Sequence, residues 1–371
     1  VPAPEPRYGF LSDALADAGE AFVHVGDRRD PDLRYLSRVD RPGTFAFVYA
    51  DGDACLISPA ESLDGAKRAF PGEYVYGPED LSGSTPGQRA RSLLDAYDVS
   101  GTVLTPRHVP HDAALYLEAD SDLASTPAVR EERAHKTREE TRCIARVADH
   151  AAAAIESVRG TLAAAEPVEG GRKLRADGRT LTTGYLRREL NAALAERGCS
   201  GAGETVVATG RGATDPTFAG DVPLEPGQPV AFALCPRGPR GYHAALARTL
   251  SPATEGGWDR RAFLGVESAL EAGLQELSAN TAAASVRNEV VAELGAFGFG
   301  GVSLAQSGGG VGLAPRETPA MDEGRLLEGH TLAVRAGVAD PERGTVRVAE
   351  TVRITEDGYD LLTSGERSLI P

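Results

Sequence analysis

Lysine is almost missing from this chain. It occurs only at Lys67, Lys136 and Lys173, and arginine supplies the rest of the 39 basic residues, against 54 acidic ones. The resulting formal charge of −15 excludes a nucleic-acid backbone as partner, because displacing phosphate counterions needs clustered Lys and Arg. An acidic membrane surface is disfavoured on the same ground. Runs approaching about 18 apolar residues are also missing, so no membrane-spanning helix is expected. The opening VPAPEPRYGF lacks the charged-then-apolar order of an export signal, and a cytoplasmic location is expected. The four cysteines, Cys55, Cys143, Cys199 and Cys235, form no CxxC pair. That spacing favours single packed thiols over a disulfide framework or a zinc site. An acidic, Lys-poor, Ala- and Gly-rich composition fits a salt-adapted cytoplasm, where high ionic strength screens carboxylate repulsion.

What is present is enough for two domains. The first third alternates strand and helix patterns. TFAFVYADGDACLISP sets two apolar runs around Asp51-Gly52, a strong two-residue hairpin signal. Phe22–Val25 and Val103–Thr105 read as further strands, and SLLDAYDV as a short helix. A long helix is predicted next, because Ile144, Val147, Ala151, Ile155 and Val158 share one face at helical spacing. Leu186, Leu190 and Leu194 mark another helix, with Gly198 as its stop. Phe263, Val266, Leu270, Leu274 and Leu277 mark a second long helix, and Val286, Val290 and Leu294 a shorter one. GTVRVAETVRITEDGYDLLT is strand-rich, with a turn at Glu356–Gly358. Helices then strands, twice over, predict an α+β domain of two similar halves.

AFALCPRGPRGYHAALARTL (Ala231–Leu250) reads as a hairpin around a turn-rich insert, and it contains no acid. Its Gly241-Tyr242 and Arg248-Thr249 belong to an ordered set of strings: Tyr35-Leu36, Lys136-Thr-Arg-Glu-Glu140, Gly308-x-Gly310-Val-Gly312-Leu313, Thr351-Val352 and Thr355-Glu-Asp-Gly358. In that order the chain resembles the pita-bread family of Xaa-Pro aminopeptidases, prolidases, methionine aminopeptidases and creatinase. Its composition would make it a haloarchaeal member. The resemblance implies an α+β fold of two domains. Residues 1–125 would form a creatinase- and prolidase-type α/β domain, and residues 126–371 a pita-bread domain.

The resemblance also implies where the family's working residues fall. The histidine before the hairpin becomes Thr217, and the two metal-binding aspartates become Leu234 and Ala245. The histidine of the glycine string becomes Gly309, and the substrate-side histidine Arg316. The two glutamate ligands become Arg335 and Ala349. Two divalent ions about 3.5–4 Å apart repel by on the order of 19 kcal/mol at an effective dielectric of about 20. Leucine, alanine and glycine offset none of this, and a guanidinium adds to it. The mapping thus implies a peptidase-like pseudoenzyme with no metal or other cofactor. Creatinase works without metal through the same histidine and glutamates, so that route is lost as well.

Arg316 and Arg335, with His243 and Arg248 nearby, would turn an anionic pocket cationic. It would then suit an anionic small molecule or an acidic peptide end. Alternatively these arginines pair with neighbouring acids such as Glu317 and Glu350 and merely fill space. SGGGVG at 307–312 is not expected to cradle phosphate, since no strand-then-helix frame surrounds it. His108-Val-Pro-His111 reads as a solvated loop with no acid constellation. Two further readings stand. The chain is an Xaa-Pro dipeptidase or aminopeptidase whose ligands lie elsewhere, or a non-catalytic subunit. A homodimer, or a heterodimer with an active paralogue, is the expected assembly.

Overall fold

The computed structural model describes residues 8–201, 203–210, 220–300 and 308–371. The chain divides into two compact units, Val1–Arg133 and Ala134–Pro371.

In the first unit α1 (Gly9–Ala18) leads into β1 (Ala21–Asp27), α2 (Pro31–Ser37), β2 (Thr44–Ala50) and β3 (Asp53–Ile57). Then come α3 (Leu63–Ala69), β4 (Tyr74–Tyr76), α4 (Pro86–Ala96), β5 (Val103–Thr105), α5 (His111–Leu117), β6 (Leu123–Ser125) and α6 (Ala128–Ala134). The six strands form one sheet in the order β4-β3-β2-β1-β5-β6. Asp51-Gly52 joins β2 to β3 with φ of 51° and 87°, the left-handed pair that a two-residue hairpin requires. β6, which ends at Ser125, pairs with β5 and so belongs to this sheet.

The second unit opens with α7 (Arg138–Ala163) and a small sheet of β7 (Glu166–Val168), β8 (Lys173–Ala176) and β9 (Arg179–Thr180). α8 (Thr183–Glu196), β10 (Val206–Thr209), β11 (Val230–Leu234) and β12 (Leu246–Leu250) complete the first half. α9 (Trp258–Gln275), α10 (Ala283–Ala296), β13 (Gly308–Gly310), β14 (Glu317–Ala320), β15 (Thr331–Asp340), β16 (Gly344–Ile354) and β17 (Tyr359–Leu361) form the second. The large sheet runs β10-β11-β12-β16-β15-β13-β14, with β17 added to β16.

One face of this sheet carries the core. Val230, Phe232, Leu234, Leu246 and Leu250 pack with the apolar faces of α7 and α8. Leu332, Val334, Ala336, Val338, Val346 and Val348 pack with α9 and α10. Strand alternation therefore turns residues such as Ala245, Arg335 and Ala349 to the other face. Among the described residues this second face is turned away from α7, α8, α9 and α10.

Several of the ordered strings are frame rather than site. Thr137 caps α7 by accepting the Glu140 N–H, and Glu140 reciprocates at the Thr137 N–H. Tyr242 donates its hydroxyl to Glu140 at 2.7 Å, tying the hairpin to the helix start. Lys136 donates to Glu317 at 2.6 Å with both side chains buried.

Beside Lys136 lies His330, 3% exposed, whose Nδ1 accepts the Leu327 N–H at 3.1 Å. Burial, followed by the charges of His135 and Lys136, pulls its pKa from 6.5 down to about 4. Between those values the unfolded chain holds more protons on this ring, so stability drains away as pH falls from about 6.5 towards 4. The expected contribution is about 3 kcal/mol. His330→Gln keeps an acceptor for Leu327 and should flatten this part of the pH profile of the urea midpoint. An unchanged profile would remove His330 as its source.

Candidate functional site

Two rows of residues cross the face of the large sheet that is turned away from α7–α10. In one row Ala247 pairs with Ala349, and Ala349 with Arg335. In the next Thr351 pairs with Ala333, and Ala333 with Gly309. Thr351 Oγ1 accepts the Ala245 N–H at 3.0 Å and donates to the Ala245 carbonyl at 2.8 Å, which places Ala245 at the end of that row. Ala245, Gly309, Arg335 and Ala349 are thus brought together. Thr217 lies outside the described residues.

Leu234 does not join them. It pairs with Leu246 and is buried among the residues of α7 and α8. Cys235, one residue on, occupies the cleft face with Ala245, Val311 and Ala333. A gapless count along the chain locates a position, but the pleat decides its face, and here it selects the neighbour. Burial pushes the Cys235 thiol up to about 12, so it stands there neutral and protonated.

Arg248 also departs from expectation. It pairs in register with Phe232 on the helix side, 3% exposed. Its guanidinium meets Glu350 at 3.0 Å and donates to the Ala247 and Ala349 carbonyls at 2.9 and 3.0 Å. Glu350, itself 1% exposed, further accepts from Arg367 at 2.9 Å and from Thr363. Arg248 therefore braces the sheet and does not line the cleft.

His243 is buried with its backbone N–H on Gly312 O at 2.7 Å. Its Nδ1 lies 3.1 Å from the Cys235 carbonyl. A carbonyl only accepts, so Nδ1 carries the proton. Burial pulls the imidazole pKa down, leaving the ring neutral.

The two acids expected to neutralise the cleft arginines are occupied elsewhere. Glu317 is held by Lys136, and Glu350 by Arg248 and Arg367. Among the described residues Arg335 is half-buried and has neither an ion pair nor a hydrogen bond. Burial pulls its pKa down, and the charge on Arg316 acts the same way, while Cys235 and Glu204 act against it. Arg316 is exposed. Sequence reasoning passed over Arg347, which pairs with Gly337 in the same register that sets Arg335 against Ala349. It therefore shares the cleft face. Its buried Nε has no partner, and burial followed by the charge on Arg335 brings its pKa down to about 10. Strand alternation back from Ala349 was the signal that could have found it.

The glycine string is a strand rather than a phosphate loop. β13 pairs with both β15 and β14. Gly308 sits at φ 119°, where a Cβ would fall 1.7 Å from the Ala333 carbonyl. The segment must pass so close to β15 that only glycine fits.

Among the described residues of the second unit, no three His, Cys, Asp or Glu side chains come within reach of one ion. The single such group in the described chain is His24, Asp30 and His108, in the first unit. His108 is thus not the isolated loop residue its local sequence suggests, because its acids come from α2.

Residues 139–356 match the model of metallopeptidase family M24. An 89-residue segment is 37% identical to the Xaa-Pro dipeptidase of Pyrococcus furiosus and 36% identical to that of Pyrococcus horikoshii. That segment is 23% of this chain and spans only 25% and 24% of the two relatives' lengths. The fold is similar to that of an Xaa-Pro dipeptidase from Bacillus anthracis, with a TM-score of 0.85 over 98% of each chain at 17% identity. It is also similar to an X-Pro aminopeptidase from Thermotoga maritima, with a TM-score of 0.83 over 97% of this chain and 99% of that one at 18% identity. No helix among the described residues is long and apolar enough to cross a membrane.

Proposed function

The chain belongs to metallopeptidase family M24, and from that premise we propose that it is a non-peptidase member whose cleft binds a small anion on Arg335. The observation that carries the reading is the unpaired guanidinium of Arg335, half-buried on the cleft face among the described residues. A desolvated guanidinium without a partner is costly, and a carboxylate or phosphate oxygen is its natural complement. Arg347 supports this, with a buried Nε that lacks an acceptor. Exposed Arg316 contributes charge at the rim. Among the described residues Glu204 is the acid that acts on Arg335, against the charges of Arg316 and Arg347.

The two metals that the family name implies do not fit these residues. Ala245, Gly309, Ala349 and Arg335 offer no anionic donor. His243 offers a single Nε2 lone pair and Cys235 a single thiol, and without a carboxylate to bridge them two dications are not held. The chain's own residues would bind and orient an anion, and none of them forms a nucleophile–base pair.

Citrate and inorganic phosphate, titrated by calorimetry into the full chain at high salt, test the proposal. One equivalent should bind, and Arg335→Ala should weaken binding at least about tenfold, the loss of one charged hydrogen-bonding partner. Binding that survives Arg335→Ala, or no binding of either anion, would remove the cleft as an anion site. A second reading, an Xaa-Pro dipeptidase-type hydrolase, is favoured by the 89-residue similarity to the Pyrococcus enzymes.

A further inference from the structure

We propose that His24, Asp30 and His108 form a binding site for a divalent cation of the zinc class in the first unit, with Asp32 alongside. The proposal is independent of the cleft and its anion. His24 sits in mid-β1, 0% exposed. Asp30 is the N-cap of α2, where Oδ1 accepts the N–H groups of Asp32 and Leu33, both at 2.9 Å. This leaves Oδ2 directed elsewhere. His108 follows β5, with its side chain 56% exposed.

The three donor atoms lie within 4.8 Å of one another. His24 Nε2 is 2.9 Å from Asp30 Oδ2, and His108 Nε2 is 3.5 Å from the same oxygen. His108 Nε2 also lies 3.4 Å from Asp32 Oδ2, whose other oxygen is fixed by Arg133 at 2.5 Å.

The alignment of these contacts matters more than their length. Both ring nitrogens of His24 are buried; Nδ1 has no hydrogen-bond partner, and Nε2 meets the Asp30 carboxylate at 2.9 Å without the alignment of a full hydrogen bond. One buried nitrogen left without a partner is unfavourable by about 1–3 kcal/mol. Donors sharing one tetrahedral ion at about 2.0–2.1 Å stand about 3.3 Å apart, and they aim at the ion rather than at each other. Contacts of 2.9 and 3.5 Å without mutual alignment have that character.

The donor set chooses the cation. Two imidazoles and a carboxylate suit zinc and its borderline neighbours. Calcium and magnesium need a shell mostly of oxygen. Burial raises the Asp30 carboxyl, but contacts with His24, the Leu33 N–H and His108 outweigh it and hold the group below the ordinary carboxylate range. The group is therefore ionised at neutral pH. Exposure of His108 supplies both the route in and the freedom to close on the ion.

The full chain, stripped with chelator, should be titrated with cobalt(II) as a visible probe and with zinc(II) as competitor. One equivalent of cobalt should give a tetrahedral d–d band that zinc abolishes. Asp30→Asn keeps the Oδ1 acceptor that caps α2, and His108→Gln alters only an exposed side chain. Each should weaken uptake at least about tenfold, since even outer-sphere partners of metal ligands matter that much. Arg335→Ala should leave the band untouched. A folded wild type without the band, or a band that survives either ligand substitution, overturns the proposal.

Discussion

Glu350→Gln is expected to destabilise the second unit by about 3–5 kcal/mol, the typical consequence of removing one partner from a buried ion pair. The substitution preserves shape and removes charge. Arg248 would then keep its contacts to the Ala247 and Ala349 carbonyls, which satisfy hydrogen-bonding capacity but not the positive charge. Thr363 and Arg367 would lose a charged acceptor as well. Arg367→Ala provides the contrast. Its side chain is 20% exposed and also contacts the more open Glu271, so its removal should shift stability by about 1 kcal/mol or less. Urea unfolding of the two variants beside the wild type reads both numbers. If Glu350→Gln moves the midpoint no more than Arg367→Ala does, the pair is not the brace described.

The second large effect concerns chemistry. Manganese, cobalt or zinc added to purified protein should bring no cleavage of an Xaa-Pro dipeptide above the buffer rate. Two dications about 3.5–4 Å apart repel strongly even at an effective dielectric of about 20. Bridging carboxylates are the usual remedy. On the cleft face the described residues supply alanine, glycine and a guanidinium instead. Arg335 pairs directly with Ala349 across β15 and β16, so its positive charge stands within the same row. Metal-dependent release of proline, lost in Arg335→Ala, would reinstate the hydrolase reading. Uptake of zinc by His24, Asp30 and His108 would not, because those residues belong to the other unit.

The elements set by local pattern were legible in advance. The buried face of α7 is the one that Ile144, Val147, Ala151, Ile155 and Val158 foretold. Asp51-Gly52 turned where its dipeptide required. Asp177-Gly178 carries the same signal, with φ of 47° and 76°, and was passed over because β8 and β9 are too short to alternate visibly. The candidate site was legible only in part. Ala245, Gly309, Arg335 and Ala349 came only from the family resemblance, and the sheet register sets them on one face. Leu234 was misplaced because spacing ignores the pleat, and Arg248 because its counter-ion, Glu350, lies on the same hidden face. His24 and His108 come from β1 and a distant loop. Only the folded sheet brings them to Asp30, so no local pattern could announce them.

Scarcity of lysine gives the Lys136–Glu317 contact a practical meaning. Lys67 is open to solvent and Lys173 partly so, whereas the amine of Lys136 is shielded by its carboxylate partner. An acylating reagent therefore meets two accessible side-chain amines at once and a third only when the junction between the start of α7 and β14 parts. The slow phase of such labelling is a clock for that breathing motion, built into the chain by its own composition.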